Sequence, residues 1–380
     1  MRPALLLAFL AITIPAPAQF TLQTSNTTAD LRGIHNVGNG VAWASGTNGT
    51  VLRTEDGGYV WQSCSIPLGA EKLDFRGIQA FDANTAIVMS SGPGDQSRLY
   101  KTTDGCHTWK LLFTNPDKEG FWDALYFELG KWGWLLGDPV NGMFALFASD
   151  DSGKTWTRQD NNGLRATSEE QGAFAASNSS LFSVNAGVVF AFGGAAGAKV
   201  YRETETSICL DDCSESDLDL HGRKNKWDVQ STPVGRHSPS SGVFSVARRP
   251  HPIAEGLSEA MVAVGGDYTK PDNSTATAAF TNHRGDHWTS SPTPPHGYRS
   301  SVAYDEQTKT WITVGPNGTD ISTDDGRNWR PIHPDPALHE TPDADRNWNA
   351  LSLPYVVGPK GRIGKLNPAA LQHGDLRILR

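Results

Sequence analysis

The 380-residue sequence lacks several features that would each indicate a particular class of protein. After the N-terminal segment, no run approaches the roughly 18 to 20 apolar residues that a membrane-spanning helix needs. The net charge is −8 without a basic stripe, which argues against a nucleic-acid partner. A His-Glu-x-x-His motif is absent, the pair Cys209 and Cys213 has no matching Cys or His pair, and His283 and His287 lie within a predicted turn and not on a helix. The sequence therefore predicts no membrane span, no nucleic-acid partner, no metal and no other cofactor.

The N-terminus has the layout of a secretory signal peptide. Residues 4–14 form an apolar run after Arg2, and Ala16-Pro17-Ala18 provides the small residues of a cleavage site. We expect cleavage after Ala18, so that the exported chain begins at Gln19. The predicted location is secreted or periplasmic.

Cysteine is scarce, with four residues in the whole chain. In an exported protein, cysteines favour disulfides over free thiols. Cys209 and Cys213 are close enough in sequence to bridge locally, whereas the sequence alone leaves open whether Cys64 and Cys106 pair.

An eight-residue motif recurs along the chain. Four copies fit Ser/Thr-x-Asp-x-Gly-x-x-Trp, except that Cys106 replaces the glycine in one copy. A fifth copy, ending at Trp288, has a histidine in place of the aspartate. Hydroxyl and carboxylate side chains that bond backbone amides, followed by a glycine, are typical of a tight turn that tryptophan covers. The predicted turn residues are Asp56, Trp61, Asp104, Trp109, Asp151, Trp156, Trp288, Asp324 and Trp329.

A second signal, a β-prone run that ends in glycine, occurs seven times with a similar period, as in Val41–Gly46 and Met261–Gly265. Two independent signals at one period predict an all-β protein, a seven-bladed β-propeller with four-stranded blades. The predicted blades are 31–64, 75–113, 121–159, 172–234, 242–292, 298–332 and 347–366.

The N-terminal segment Phe20–Thr24 has the position that an outer strand has elsewhere in the repeat. We expect it to complete the seventh blade, which would close the ring and remove the open sheet edge. The predicted division is a signal peptide at 1–18, the propeller at 19–366 and a C-terminal tail at 367–380.

These motifs resemble the secreted Asp-box (BNR) propellers, and among them the bacterial photosystem II stability and assembly factor-like proteins with WD40/YVTN/BNR-like repeats. The similarity covers essentially the whole mature chain and includes Gly265-Gly-Asp-Tyr268 and Val357-Gly-Pro-Lys-Gly361. The resemblance implies a non-catalytic propeller, because the photosynthetic members of the group bind newly made membrane-protein chains during assembly.

The topology of a four-stranded blade places the starts of the inner strands and the turns after the second strands on one face. That face surrounds the mouth of the channel, where propellers usually bind partners. We expect a monomer that binds a protein or peptide segment there, of an envelope complex for example; the alternative is that these residues form ordinary ion pairs between blades. The predicted mouth residues are Arg32, Arg76, Asp123, Asp138, Asp267, Tyr268 and Arg299.

A carbohydrate-active propeller of sialidase-like type is the alternative function, as a glycan-binding protein or a glycoside hydrolase. A sialidase needs three arginines on one carboxylate, a tyrosine nucleophile with a glutamate, and an aspartic acid. Arg32, Arg76 and Arg299 could supply the first group, and Tyr268 and Asp267 part of the rest. No partner glutamate is evident, so the sequence predicts no catalytic residues.

Overall fold

A computed structural model of the chain describes residues 18–159, 162–166, 168, 170–184, 187–208, 223–235, 238–250 and 260–368. Short antiparallel strands dominate these residues, and the helical elements described are the three-residue 3₁₀ turns Gly94–Gln96, Asn162–Leu164 and Pro336–Leu338. The all-β prediction is confirmed.

Four of the sheets contain four consecutive strands in simple antiparallel order. The first sheet contains Leu31–Gly38, Val41–Gly46, Val51–Thr54 and Gln62–Ser63; the second Phe75–Ala80, Ala86–Ser90, Arg98–Thr102 and Lys110–Thr114; the third Trp122–Glu128, Trp132–Val140, Met143–Ser149 and Thr157–Arg158; and the penultimate sheet Ser301–Asp305, Thr310–Gly315, Gly318–Ser322 and Arg330–Ile332.

A nine-stranded sheet, here called the joined sheet, covers the predicted fourth and fifth blades. A single pairing between Gly193 and Gly242 connects its two halves. Its strands are Gln171–Gly172, Leu181–Val184, Gly187–Gly194, Lys199–Ile208, Arg223–Ser231, Ser241–Arg248, Met261–Asp267, Ala278–Thr281 and Thr289–Ser290.

The last sheet combines the two ends of the described chain. Its strands are Ala350–Ser352, Tyr355–Val357, Ile363–Leu366 and the N-terminal strand Phe20–Gln23. The N-terminal strand is antiparallel to Ile363–Leu366, with Phe20 opposite Leu366. Ordered backbone pairing therefore links the first strand along the chain to the last.

The turns after the third strands have the hydrogen bonds that the recurring motif predicts. In the third sheet, Ser149 Oγ accepts from the Gly153 amide at 3.0 Å, and Asp151 accepts from the Thr155 amide at 2.9 Å. The first, second and penultimate sheets repeat this arrangement. In the fifth copy, His283 and His287 stack with ring centroids 4.8 Å apart in the place of the aspartate contact.

Buried apolar clusters lie between consecutive sheets. The cluster of Trp43, Phe75 and Val88 joins the first sheet to the second, for example. A further cluster with Leu31, Leu52 and Tyr355 packs the last sheet against the first. The sheets are therefore held together mainly by apolar burial, and the strand Leu31–Gly38 contacts both Phe75–Ala80 and Ala350–Ser352.

Candidate functional site

Arg32 and Arg76 lie at the starts of the first strands of two neighbouring sheets and share one carboxylate. Arg76 Nε donates to Asp74 Oδ2 at 2.8 Å, and Arg32 Nε lies 3.9 Å from Asp74 Oδ1. Both arginine side chains are 30% exposed. Two partly exposed guanidinium groups thus face solvent on either side of one carboxylate.

Sequence reasoning missed Asp74, although a signal for it was present. Asp74-Phe-Arg76-Gly77-Ile78 repeats the pattern of Asp30-Leu-Arg32-Gly-Ile. The repeated spacing of aspartate and arginine shows that the carboxylate belongs to the same strand start.

Asp123 and Asp138 form a carboxyl pair next to Arg76. Asp123 is 2% exposed, and its Oδ2 has no hydrogen-bond partner among the described residues. Burial and the Asp138 carboxyl raise the pKa of Asp123 well above its usual value, while Arg76 opposes the shift. Burial also raises the pKa of Asp138 to about 6, against a hydrogen bond of 3.0 Å from the Ala173 amide. The pair therefore holds a proton at mildly acidic pH.

The segment 173–180, here called the plug, makes hydrogen bonds to the first strands of several sheets. Arg76 Nη1 donates to Ala175 O at 3.3 Å, and Asn178 bonds both the amide and the carbonyl of Leu125 at 2.7 Å. Ser177 Oγ donates to Ser300 O at 2.8 Å, and Ser179 Oγ lies 2.7 Å from Ser245 Oγ. The plug therefore contacts residues in or next to strands of the second, third, joined and penultimate sheets.

Four aromatic side chains form a cluster beside the plug. Phe174 of the plug stacks on Phe244 with centroids 3.9 Å apart, and Tyr268 and Tyr298 contact Phe244 edge-on. Gly193 next to Phe174 has no room for a side chain, because a Cβ there would lie within 2.5 Å of Ser241 O and Gly242 Cα and 2.8 Å from the Phe174 ring. Tyr268 is 53% exposed, so the aromatic cluster presents one ring to solvent.

The aromatic cluster lies near the arginines. Burial raises the pKa of Tyr298. The nearby Tyr268 raises this pKa further, and Arg32 lowers it. Asp267 fixes the turn that carries Tyr268, because it accepts from Ser240 Oγ at 2.8 Å and from the Thr269 amide at 3.0 Å. Partial burial raises the pKa of Asp267, but bonds from Thr269 and Ser240 outweigh this and lower it to about 2.

Arg299 does not join the solvent-facing arginines. Its side chain is fully buried, and its guanidinium binds Asp320, the Tyr298 carbonyl and Asn317 Oδ1. A guanidinium that is buried and hydrogen-bonded in this way cannot reach a ligand carboxylate. The three arginines that the sialidase alternative requires therefore do not converge.

The cysteines and the remaining sequence features also have defined positions. Cys64 and Cys106 form a disulfide with Cα atoms 5.3 Å apart, which ties the end of the first sheet to the turn in the second. Cys209 and Cys213 lie outside the described residues. Within the described ranges, no cluster of three or more His, Cys, Asp or Glu side chains could hold a metal ion. No helix in the same ranges is long and apolar enough to span a membrane.

Neither a protein-family model nor a curated protein matches the sequence. Solved structures do match. A structure described as YCF48 bound to D1 peptide has a TM-score of 0.58 at 16% identity, over 93% of this chain and 99% of that one. YCF48 from Cyanidioschyzon merolae gives 0.56 at 15% identity, over 93% and 100% of the two chains.

A glycoside hydrolase has a similar fold. The GH74 xyloglucanase from Xanthomonas campestris has a TM-score of 0.57 at 14% identity, over 93% of this chain and 54% of the enzyme. Identities this low establish the fold alone. The chain is a β-propeller.

Proposed function

We propose that this protein is a non-catalytic, exported propeller that binds a peptide segment of a protein partner at the face formed by Arg32, Asp74, Arg76 and the aromatic cluster. The observation that carries the proposal is the combination of two partly exposed guanidinium groups sharing one carboxylate with an exposed tyrosine on a buried aromatic stack. Arginine and tyrosine are the side chains that most often dominate protein interfaces.

The plug supports recognition of a segment that lies on the face. The plug makes hydrogen bonds to residues in or next to strands of four sheets, which favours a peptide that lies on the face over one that threads between the sheets. A peptide laid across the face would meet the arginines and Tyr268 together. The description of one structural neighbour, YCF48 bound to D1 peptide, agrees with a peptide ligand.

The finer fold assignment is part of the same proposal. We propose seven Asp-box blades at 19–366, with the joined sheet counted as two blades and the N-terminal strand closing the ring. The pairing of Phe20–Gln23 with Ile363–Leu366 and the apolar cluster between the last and first sheets support closure. The signal-peptide layout and the Cys64–Cys106 disulfide support a secreted or periplasmic location.

Capture of polypeptides from an extract of the host's envelope tests the function. The double variant Arg32→Ala/Arg76→Ala should reduce capture of a specific polypeptide about tenfold, because each guanidinium would contribute as an interface anchor. The matched control is Lys154→Ala/Arg284→Ala, which removes two positive charges from turns at the other end of the strands. The melting temperature should stay nearly unchanged in both variants.

The outcome that contradicts the proposal is equal capture by the wild-type protein and the arginine variant. A panel of fluorogenic glycosides is assayed in parallel. Turnover of a glycoside with no polypeptide captured would favour the carbohydrate-active alternative.

A further inference from the structure

Glu340 is a buried carboxylate that binds the first residues of the N-terminal strand. Its side chain is 9% exposed. Its Oε1 accepts from the backbone nitrogen of Gln19 and, at 3.0 Å, from that of Phe20. Its Oε2 accepts from the Asp335 amide at 2.7 Å. Three backbone N–H groups therefore converge on one carboxylate.

No cationic side chain of the described residues pairs with Glu340. The ionisable groups nearby have other contacts: Asp335 accepts from the Ala337 amide, the His333 ring lies 3.6 Å from Asp345, and Lys365 donates to Gly57 O. A buried carboxylate without a positive partner is costly, even when backbone amides solvate it.

The predicted cleavage after Ala18 converts the Gln19 nitrogen from an amide into an α-ammonium group. We propose that Glu340 is the binding site for this new N-terminus, and that processing supplies the positive charge that the buried carboxylate lacks. The proposal rests on the export part of the proposed function and is independent of what binds at the mouth.

The Glu340 site links signal-peptide cleavage to the N-terminal strand Phe20–Gln23. Gln19 O accepts from the Asn367 amide at 3.0 Å, and the strand that follows pairs with Ile363–Leu366. An ion pair at Gln19 therefore fixes the end of the strand that completes the last sheet.

The same contacts oppose cyclisation of the N-terminal glutamine. In that reaction, the amine nitrogen attacks the carbon of its own side-chain amide, a C–N bond forms and ammonia leaves. Here Glu340 holds the Gln19 nitrogen, and His333 O accepts from the side-chain Nε2 at 3.2 Å. Both reacting groups are thus bound to other partners.

The test compares a chain that begins at Gln19 with a free amine and a chain that keeps Ala16-Pro17-Ala18, each with and without Glu340→Gln. At pH 6.5, we expect the free amine to raise the melting temperature by roughly 2–4 °C when Glu340 is present and to have no effect in the Glu340→Gln background. An equal rise in both backgrounds, or no rise in either, would overturn the proposal.

The pH dependence identifies the amine as the responsive group. An α-amino group has an ordinary pKa of about 7.7–8.0, which pairing with Glu340 raises. The added stability is therefore fully present below the ordinary pKa and is lost as pH rises through the raised value. A difference that persists unchanged at high pH would contradict an ion pair.

Mass spectrometry gives a readout that does not depend on a variant. Ammonia loss from Gln19 should be at least about tenfold slower in the folded protein than in the same chain unfolded in urea. Equal rates would overturn the proposal. N-terminal sequencing of the protein from its host separates the two hypotheses: a start at Gln19 supports the site, and another start overturns it even if the mouth binds a peptide.

Discussion

Asp123 and Asp138 show how burial changes the chemistry of a carboxyl group. Both lie beside Arg76, yet no cationic partner is hydrogen-bonded to either among the described residues, and burial raises the pKa of each. The solvent-facing turn aspartates behave in the opposite way. Hydrogen bonds from Thr108 and Thr102 lower the pKa of Asp104 to about 2.

The raised pKa of Asp138 predicts how stability depends on pH. The folded protein holds a proton up to about pH 6, whereas the unfolded chain releases it near the ordinary value of 3.8. The free energy of unfolding should therefore fall as pH rises from about 4 through 6. Asp138→Asn should flatten this part of the profile in denaturant titrations, whereas Asp150→Asn, at an exposed site, should leave it unchanged. If the free energy of unfolding of Asp138→Asn depended on pH in the same way as that of the wild-type protein, the raised pKa could not belong to Asp138.

Asp151 tests the turn motif. It accepts from the amides of Lys154 and Thr155 and from the hydroxyls of Ser149 and Thr155. Asp151→Ala should lower the free energy of unfolding by about 1 kcal/mol or more, as loss of a capping side chain does. Asp150→Ala in the same turn is the control. Equal effects of the two substitutions in urea unfolding would count against a specific role for Asp151.

At this scale, the sequence predicted residue positions better than residue environments. The motif spacing identified the turn aspartates, because their hydrogen bonds are local. Arg299 looked equivalent to Arg32 and Arg76, since all three precede or begin first strands. Its burial depends on Asp320, which is 21 residues away and on another strand. No local pattern encodes that pairing.

Among the elements, the plug departs most from the repeat. Asn178 has a left-handed backbone with φ 63°, and its side chain bonds the amide and the carbonyl of Leu125. Two serines of the plug bond other sheets: Ser177 Oγ donates to the Ser300 carbonyl, and Ser179 Oγ bonds Ser245 Oγ. The motif spacing places 173–180 at the start of the fourth blade, and it does not predict these contacts because the partners lie more than 50 residues away in the chain.

Asn178→Ala should loosen the plug. The substitution leaves both backbone groups of Leu125 without their partners, which should cost about 2 kcal/mol or more. Hydrogen exchange should become faster in 173–180 and at Leu125. Asn26→Ala is the matched control, because Asn26 is exposed and has a similar left-handed backbone, with φ 58°. If both variants lose the same stability, backbone strain and not the lost bonds explains the effect.

At the scale of the whole molecule, the period of the motifs correctly predicted an all-β architecture with short antiparallel sheets. Repeats are visible in sequence because each unit needs the same turn chemistry and the same apolar strand pattern. The link between the two halves of the joined sheet was not predictable. It depends on the close approach of Gly193 to Gly242, where neither residue has room for a side chain.

The arrangement of charge and aromatic rings also belongs to this scale. Arg32 and Tyr268 are far apart in the chain, but both lie close enough to Tyr298 to change the pKa of its hydroxyl. The proposed binding face therefore depends on residues that only the folded chain brings together.

Site-specific photo-crosslinking tests the central claim most directly. A photoreactive phenylalanine analogue replaces Tyr268 in one variant and Tyr59 in another, which is 90% exposed on the turn of the first sheet. Irradiation in the host's envelope should link position 268, and not position 59, to one polypeptide, and Arg32→Ala/Arg76→Ala should abolish that product. Cross-links of equal yield from both positions, or none at position 268, would contradict a peptide-binding face at the mouth.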